Sequence, residues 1–129
     1  MKTPRQPIAT CYDHLSGIAG EILSHRLVEL GWVTPEPTPG VTPQGWKGFA
    51  DLGLNLTPLT TGRRKPVAFC TEIRGRGEYH EHLGGHLGGL IRQHFLERGW
   101  LALADGKLTI TPAGEQVLEQ LGVHLEVQA

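Results

Sequence analysis

The chain has 129 residues, near the commonest size for one domain and long enough to bury a core. It is 39% hydrophobic, and twelve Lys and Arg against thirteen Asp and Glu leave a net charge of −1, which excludes a global basic field for nucleic acid or an anionic membrane. No apolar run approaches the ~18 residues of a membrane span, and the start MKTPRQPIAT lacks the apolar stretch of a signal peptide. Two cysteines without an export signal point to a reducing, cytoplasmic setting in a soluble protein.

The sequence reads as a tandem repeat. Gln6-Pro7-Ile8-Ala9-Thr10-Cys11-Tyr12-Asp13 matches Lys65-Pro66-Val67-Ala68-Phe69-Cys70-Thr71-Glu72, and His14-Leu15-Ser16-Gly17 matches His82-Leu83-Gly84-Gly85. The second copy has gained Ile73 to Glu81 between its acidic residue and its histidine. Leu30-Gly31-Trp32-Val33 answers Arg98-Gly99-Trp100-Leu101, Thr42-Pro43-Gln44-Gly45 answers Thr111-Pro112-Ala113-Gly114, and Leu52-Gly53-Leu54 answers Leu121-Gly122-Val123. The copies run from about 5 to 56 and about 64 to 125, joined by a linker at about 57–63. Each is too short to bury a core alone, so the two are expected to pack as one pseudo-symmetric domain over residues 1–129.

In chain order, Leu15, Ile18, Ala19, Ile22, Leu23, Leu27 and Leu30 recur at helical spacing and predict an amphipathic helix over 14–30. Gly31 stands where a left-handed residue would end it. Pro35, Pro37 and Pro39 then argue against a strand ladder, so this stretch is expected to be a loose loop. Thr42-Pro43 supplies an N-cap and a first-turn proline for the next helix. In the second copy Leu83, Leu87, Leu90, Ile91 and Phe95 predict a helix over 82–98, stopped at Gly99. Trp100 to Ala104 and Lys107 to Ile110 flank Asp105-Gly106, a strong hairpin signal, and Thr111-Pro112 opens a helix closing at Gly122. Each copy thus reads helix, hairpin, helix, and the expected class is α+β, mostly helical, with winged-helix-like repeats. Gly17 and Gly20 correspond to Gly85 and Gly88, and glycine inside a helix costs ~1 kcal/mol against alanine. The expected compensation is close approach of the two long helices at their N-terminal halves.

The chemistry-bearing residues are few. Cys11 with His14, and Cys70 with His82, recur in matching contexts before the long helices. Two thiols and two imidazoles suit tetrahedral zinc or another transition metal, although such residues also serve as ordinary core. His82 and His86 form an i, i+4 pair that could face one point if both are helical, while His86 also falls on the apolar stripe. His94 aligns with Arg26 and is expected at the surface. Arg63, Arg64 and Lys65, with Arg74 and Arg76 nearby, make the one basic cluster, either a solvated linker or a DNA contact. Trp46 and Phe49 are candidates for an interface or for the core. No phosphate loop, Gly-X-Ser-X-Gly or His-Glu-X-X-His occurs, and no spacing singles out an acid–base pair among Asp13, Glu21, Glu72 and Glu81, so an enzyme is not expected.

Thr10-Cys11-Tyr12-Asp13-His14-Leu15-Ser16-Gly17, with the Gly-Trp, Thr-Pro-X-Gly and Leu-Gly-[Leu/Val]-X-Leu elements of both copies, resembles the C-terminal region of certain ArsR-type winged-helix transcriptional regulators. The resemblance spans nearly the whole chain. It implies a region that follows an N-terminal DNA-binding domain and serves in effector sensing or assembly. It also implies a dimeric, cytoplasmic setting with release by metals or other small signals. The sequence begins ten residues before Cys11 and is expected to lack that DNA-binding domain. The expected function is a non-enzymatic, regulator-associated module that senses an effector and binds a protein partner or a second copy. Its DNA contact would be indirect, and it needs no membrane. The alternatives are a winged-helix protein binding DNA through Arg63, Arg64 and Lys65, and a purely structural partner-binding module.

Overall fold

The structure, a computed structural model, describes residues 9–11, 14–35, 37–61, 63–74 and 78–124, with side chains at these positions except 9–11, 14, 18, 72–74 and 78–80. Strands β1 (Ala9–Cys11) and β2 (His14–Ser16) form a hairpin that runs into α1 (Gly17–Glu29). A second hairpin, β3 (Val33–Thr34) and β4 (Gly40–Val41), leads to α2 (Pro43–Asp51), and a short α3 (Pro58–Thr61) follows. The second half comprises β5 (Ala68–Arg74), β6 (Glu78–Gly84), α4 (Gly85–Glu97), β7 (Leu101–Ala104), β8 (Lys107–Ile110) and α5 (Pro112–Gln120). The fold is α+β, with antiparallel two-stranded sheets, and the order hairpin, helix, hairpin, helix occurs twice.

The hairpins ahead of α1 and α4 correct the expected helix starts. Residues 14–16 and 82–84 are strand, and the helices begin at Gly17 and Gly85. These two glycines have φ of +75° and +68°, a left-handed conformation that turns strand sharply into helix and that side chains resist. A Cβ on Gly85 would also lie 2.9 Å from the Ala68 nitrogen. The expected helix–helix approach takes a different form: α1 packs on β6, α4 packs on β2, and β2 meets β6. Leu15, Gly20, Leu23 and Ser24 of the first half face Leu83, Gly88 and Ile91 of the second around a cavity of about 10 Å³. One buried cluster holds Leu15, Leu23, Leu27 and Phe49 together with Leu83, Leu87, Phe95 and Leu118, so both halves share a core.

Helix ends follow the predicted chemistry. After α1 the Gly31 amide donates to Val28 O (3.0 Å) and the Trp32 amide to Leu27 O (3.0 Å). After α4 the Gly99 amide donates to Leu96 O (3.1 Å) and the Trp100 amide to Phe95 O (2.8 Å). Both are Schellman closures around a left-handed glycine. Thr42 and Thr111 cap α2 and α5, accepting from the Gly45 and Gly114 amides at 2.9 and 3.0 Å, each with proline next. The same hydroxyls donate back to the carbonyls of Gly31 and Gly99. A Cβ on Gly45 or Gly114 would lie 2.1 or 2.0 Å from the Trp32 or Trp100 carbonyl oxygen, so only glycine fits. The Gly-Trp and Thr-Pro-X-Gly motifs are therefore one structural clasp, used twice.

The first wing and the linker carry regular structure. The first wing is not wholly a loop, because β3 and β4 pair Val33 with Val41 and Thr34 with Gly40 before the prolines begin. The 57–63 linker contains α3, whose Leu59 is buried. Phe49 is core, whereas Trp46 is 39% exposed. No helix among the described residues is long and apolar enough to cross a membrane.

Candidate functional site

Antiparallel register decides where the repeated Cys/His pairs sit. In the first hairpin Cys11 is the ladder partner of His14, the rung farthest from Ala9 and Ser16. In the second, Cys70 is the ladder partner of His82, four rungs below Arg74 and Glu78. The inserted Ile73 to Glu81 therefore does not displace the pair. Ile73 and Arg74 extend β5 and Glu78 to Glu81 extend β6, so the paired ladder continues beyond the Cys70–His82 rung. Ala9 opposite Ser16 and Ala68 opposite Gly84 mark the matching inner ends.

Directly opposed residues of an antiparallel pair share one face of the ladder. His82 is 1% exposed, and Cys70 is half-buried. The side chains of Cys11 and His14 lie outside the described residues. Their hairpin nevertheless meets the other, since Leu15, next to His14, and Leu83, next to His82, line the same small cavity. Among the described residues no three His, Cys, Asp or Glu side chains assemble as a metal ligand set.

His86 is not part of a helical i, i+4 pair with His82, because His82 belongs to β6 and α4 starts at Gly85. It is half-buried in the first turn of α4, its amide donates to Lys65 O at 2.9 Å, and its buried Nδ1 has no hydrogen-bond partner among the described residues. The basic cluster lies between α3 and β5. Arg63 and Lys65 are exposed and Arg64 is half-buried.

Sequence reasoning missed a set of polar residues that join the halves. Ser24 of α1 donates to Gly20 O (2.8 Å) and accepts from the Leu83 amide of β6 (2.8 Å), supplying a buried strand N–H with a partner. Arg26 Nε donates to Leu121 O at the end of α5 (2.6 Å), and His94 Nε2 lies 2.8 Å from Leu52 O at the end of α2. His94, expected at the surface, is half-buried against Trp100 at 5.3 Å and pins the opposite half. Each long helix thus binds the C-terminal end of the other half's last helix, where exposed carbonyls favour a cationic or N–H partner. The alignment of Arg26 with His94 was the available signal.

Beside the Cys/His rung, Phe69 and Glu81 line an open groove of about 400 Å³ with His25, Val28, Glu29 and Pro35. Its volume lies within the range of small-molecule sites, and both halves contribute to it.

No family model matches the chain, and no solved structure matches it. Over 122 residues, 92% of its length, the chain is 31% identical to YdfF, an uncharacterized HTH-type transcriptional regulator of Bacillus subtilis (strain 168). This chain is a relative of a transcriptional regulator. It spans about half of that protein, the aligned stretch being 51% of the regulator's length.

Proposed function

We propose that the chain is the effector-responsive and assembly part of a cytoplasmic ArsR-type transcriptional regulator, built as two pseudo-symmetric winged-helix-like repeats without enzymatic activity. One observation carries this reading: the two Cys/His pairs occupy the same kind of ladder rung on two hairpins that meet each other, in a chain related to half of a regulator. Cys11, His14, Cys70 and His82 are the proposed signal-receiving residues, with His86 near them. Thiolate and imidazole donors would suit zinc or another transition metal, and a thiol of this kind would also respond to oxidants or electrophiles. A signal received there acts on the β2–β6 contact and hence on how the halves sit together.

The test is a cobalt(II) titration of the reduced protein, followed by absorbance, beside Cys11→Ser and Cys70→Ser. An intense thiolate-to-cobalt band that saturates near one metal per chain, and disappears in both variants, is the expected outcome. No band, together with thiols that react only after unfolding, rejects the metal and thiol reading.

A second reading is direct DNA binding through Arg63, Arg64 and Lys65, favoured by the HTH-type relative and by the exposure of Arg63 and Lys65. The helices after the wings contribute little to it. Lys47 of α2 lies 3.6 Å from the Asp51 carboxylate, and α5 exposes Pro112, Ala113 and Gln116. Duplex binding that falls steeply with salt and is lost on replacing all three cations by alanine would favour this reading over the first.

A further inference from the structure

The three tryptophans differ in what holds them. Trp32 and Trp100 belong to the two clasps, and each meets a phenylalanine edge-on, Phe49 at 5.1 Å and Phe95 at 5.0 Å between ring centroids. Trp46 is 39% exposed, and among the described residues its indole has no aromatic, cationic or hydrogen-bonding partner. Its place on α2 explains this. Gly45, Gly48 and Phe49 share the buried face of that helix, where a Cβ at Gly48 would strike the Trp32 ring, and Trp46 stands one residue aside from it. In the other half the corresponding position of α5 is Glu115. No clasp requires the tryptophan.

Trp46 is one wall of a groove of about 310 Å³, at the lower end of the range for small-molecule sites. Pro39 and Val41 of the first wing, Leu59 of α3, and Lys65 and Pro66 ahead of β5 line most of the rest. The Thr60 hydroxyl at its edge donates to Thr57 O (2.8 Å), and among the described residues no acidic side chain lines the groove. Lys65 is its one cation, exposed and without an ion-pair partner among the described residues. The backbone under it is fixed, because the carbonyls of Lys65 and Pro66 accept from the His86 and Leu87 amides at the start of α4, both at 2.9 Å. An open indole and an unspent ammonium thus share one apolar groove.

We propose that this groove binds a planar aromatic anion, its ring stacked on the Trp46 indole and its carboxylate or phosphate paired with the Lys65 ammonium. An indole face holds a planar π-system by stacking, beyond the area that is buried. A lone ammonium is a point charge that suits either anion. An anion gains from Lys65 without facing a carboxylate, whereas a cation would meet Lys65 unopposed. An occupant would tie the first wing and α2 to the segment entering β5, which is where the two halves connect. The inference does not depend on the Cys/His reading. It asks for one small ligand on Trp46 and Lys65, where duplex binding asks for Arg63, Arg64 and Lys65 together.

The probe is naphthoate, titrated into the full chain beside neutral naphthalenemethanol and cationic naphthylmethylammonium. Calorimetry gives the affinities. The indole N–H resonances of the nitrogen-labelled chain give the place, with Trp46→Phe identifying the one that belongs to Trp46. Naphthoate is expected to bind about threefold tighter than the alcohol and about tenfold tighter than the ammonium, and to shift the Trp46 resonance most. Trp46→Leu should weaken naphthoate about tenfold. Lys65→Met, which keeps the apolar stem, should bring naphthoate to the level of the alcohol and leave the alcohol unchanged. Both side chains are exposed, so the fold is kept, which an equal urea midpoint checks. Adenosine monophosphate separates the two sources: displacement of bound naphthoate assigns a phosphate ligand, and no displacement assigns an aryl carboxylate. The proposal is overturned by the absence of naphthoate binding at millimolar concentration, by equal affinity for the three probes, by an unmoved Trp46 resonance, or by naphthoate binding that survives Trp46→Leu.

Discussion

At the junction after α1, Thr42 caps α2 while its hydroxyl holds the Gly31 carbonyl, and Gly45 lies against the Trp32 carbonyl. At the junction after α4, Thr111, Gly99, Gly114 and Trp100 do the same. The hairpins on either side of these junctions diverge: β5–β6 is longer than β1–β2, and the wings differ in length and in proline. The difference shows where sequence is constrained by backbone contact. A carbonyl pressed against a Cα admits one residue type, whereas a hairpin can lengthen outward without moving the rung nearest the core.

The sharpest way to break this comparison is to fill the clasps. Gly45→Ala and Gly114→Ala each force a methyl into a carbonyl oxygen about 2 Å away and are expected to destabilise by about 3 kcal/mol. Urea unfolding followed by tryptophan fluorescence measures this. Because the halves share one hydrophobic cluster, a single transition with similar losses is expected. Two separate transitions, each moved by only one variant, would show that the halves are independent.

Ser24→Ala is expected to cost about 2 kcal/mol, because it leaves the buried Leu83 amide without its acceptor. Faster hydrogen exchange at Leu83, with α1 otherwise protected, would locate the loss. This contact marks an asymmetry, since Arg92 stands in α4 where Ser24 stands in α1. An unchanged Leu83 amide would show that the contact contributes nothing.

The reciprocal contacts come next. Arg26→Ala should cost about 1.5 kcal/mol and His94→Ala about 1 kcal/mol, the charged donor making the stronger bond to a helix-end carbonyl. The double variant should cost nearly their sum, as the two contacts share no partner. A large coupling between them would show that the halves rotate against each other when either contact is lost.

What could be read from the sequence was local and backbone-bound. Gly31, Gly99, Thr42-Pro43, Thr111-Pro112 and Asp105-Gly106 each dictate one conformation, and each adopts it. What could not be read depended on partners distant in the chain. His14 to Ser16 and His82 to Gly84 continue the apolar spacing of the helices behind them, and only pairing with β1 and β5 makes them strand. His94 looked like a surface position because Leu52 is far away in sequence. The insertion separates Cys70 from His82 in sequence, and linear distance conceals the antiparallel register that sets them opposite each other. The fourfold Cys/His grouping itself is a proposal about two hairpins meeting, which neither spacing nor one hairpin alone decides.

The smallest expected effect sharpens the comparison most finely. Thr42→Ala and Thr111→Ala each remove a cap that accepts one amide and donates to one carbonyl, a loss of about 1 kcal/mol. The first clasp adjoins a wing of two-residue strands, the second a wing of four. If the clasp alone holds the junction, the two variants lose the same stability. If the ladder shares the task, Thr42→Ala loses more, because β3–β4 has fewer hydrogen bonds to hold Thr42 in place once its side chain is gone. Urea midpoints measured on both variants at equal slope decide between these.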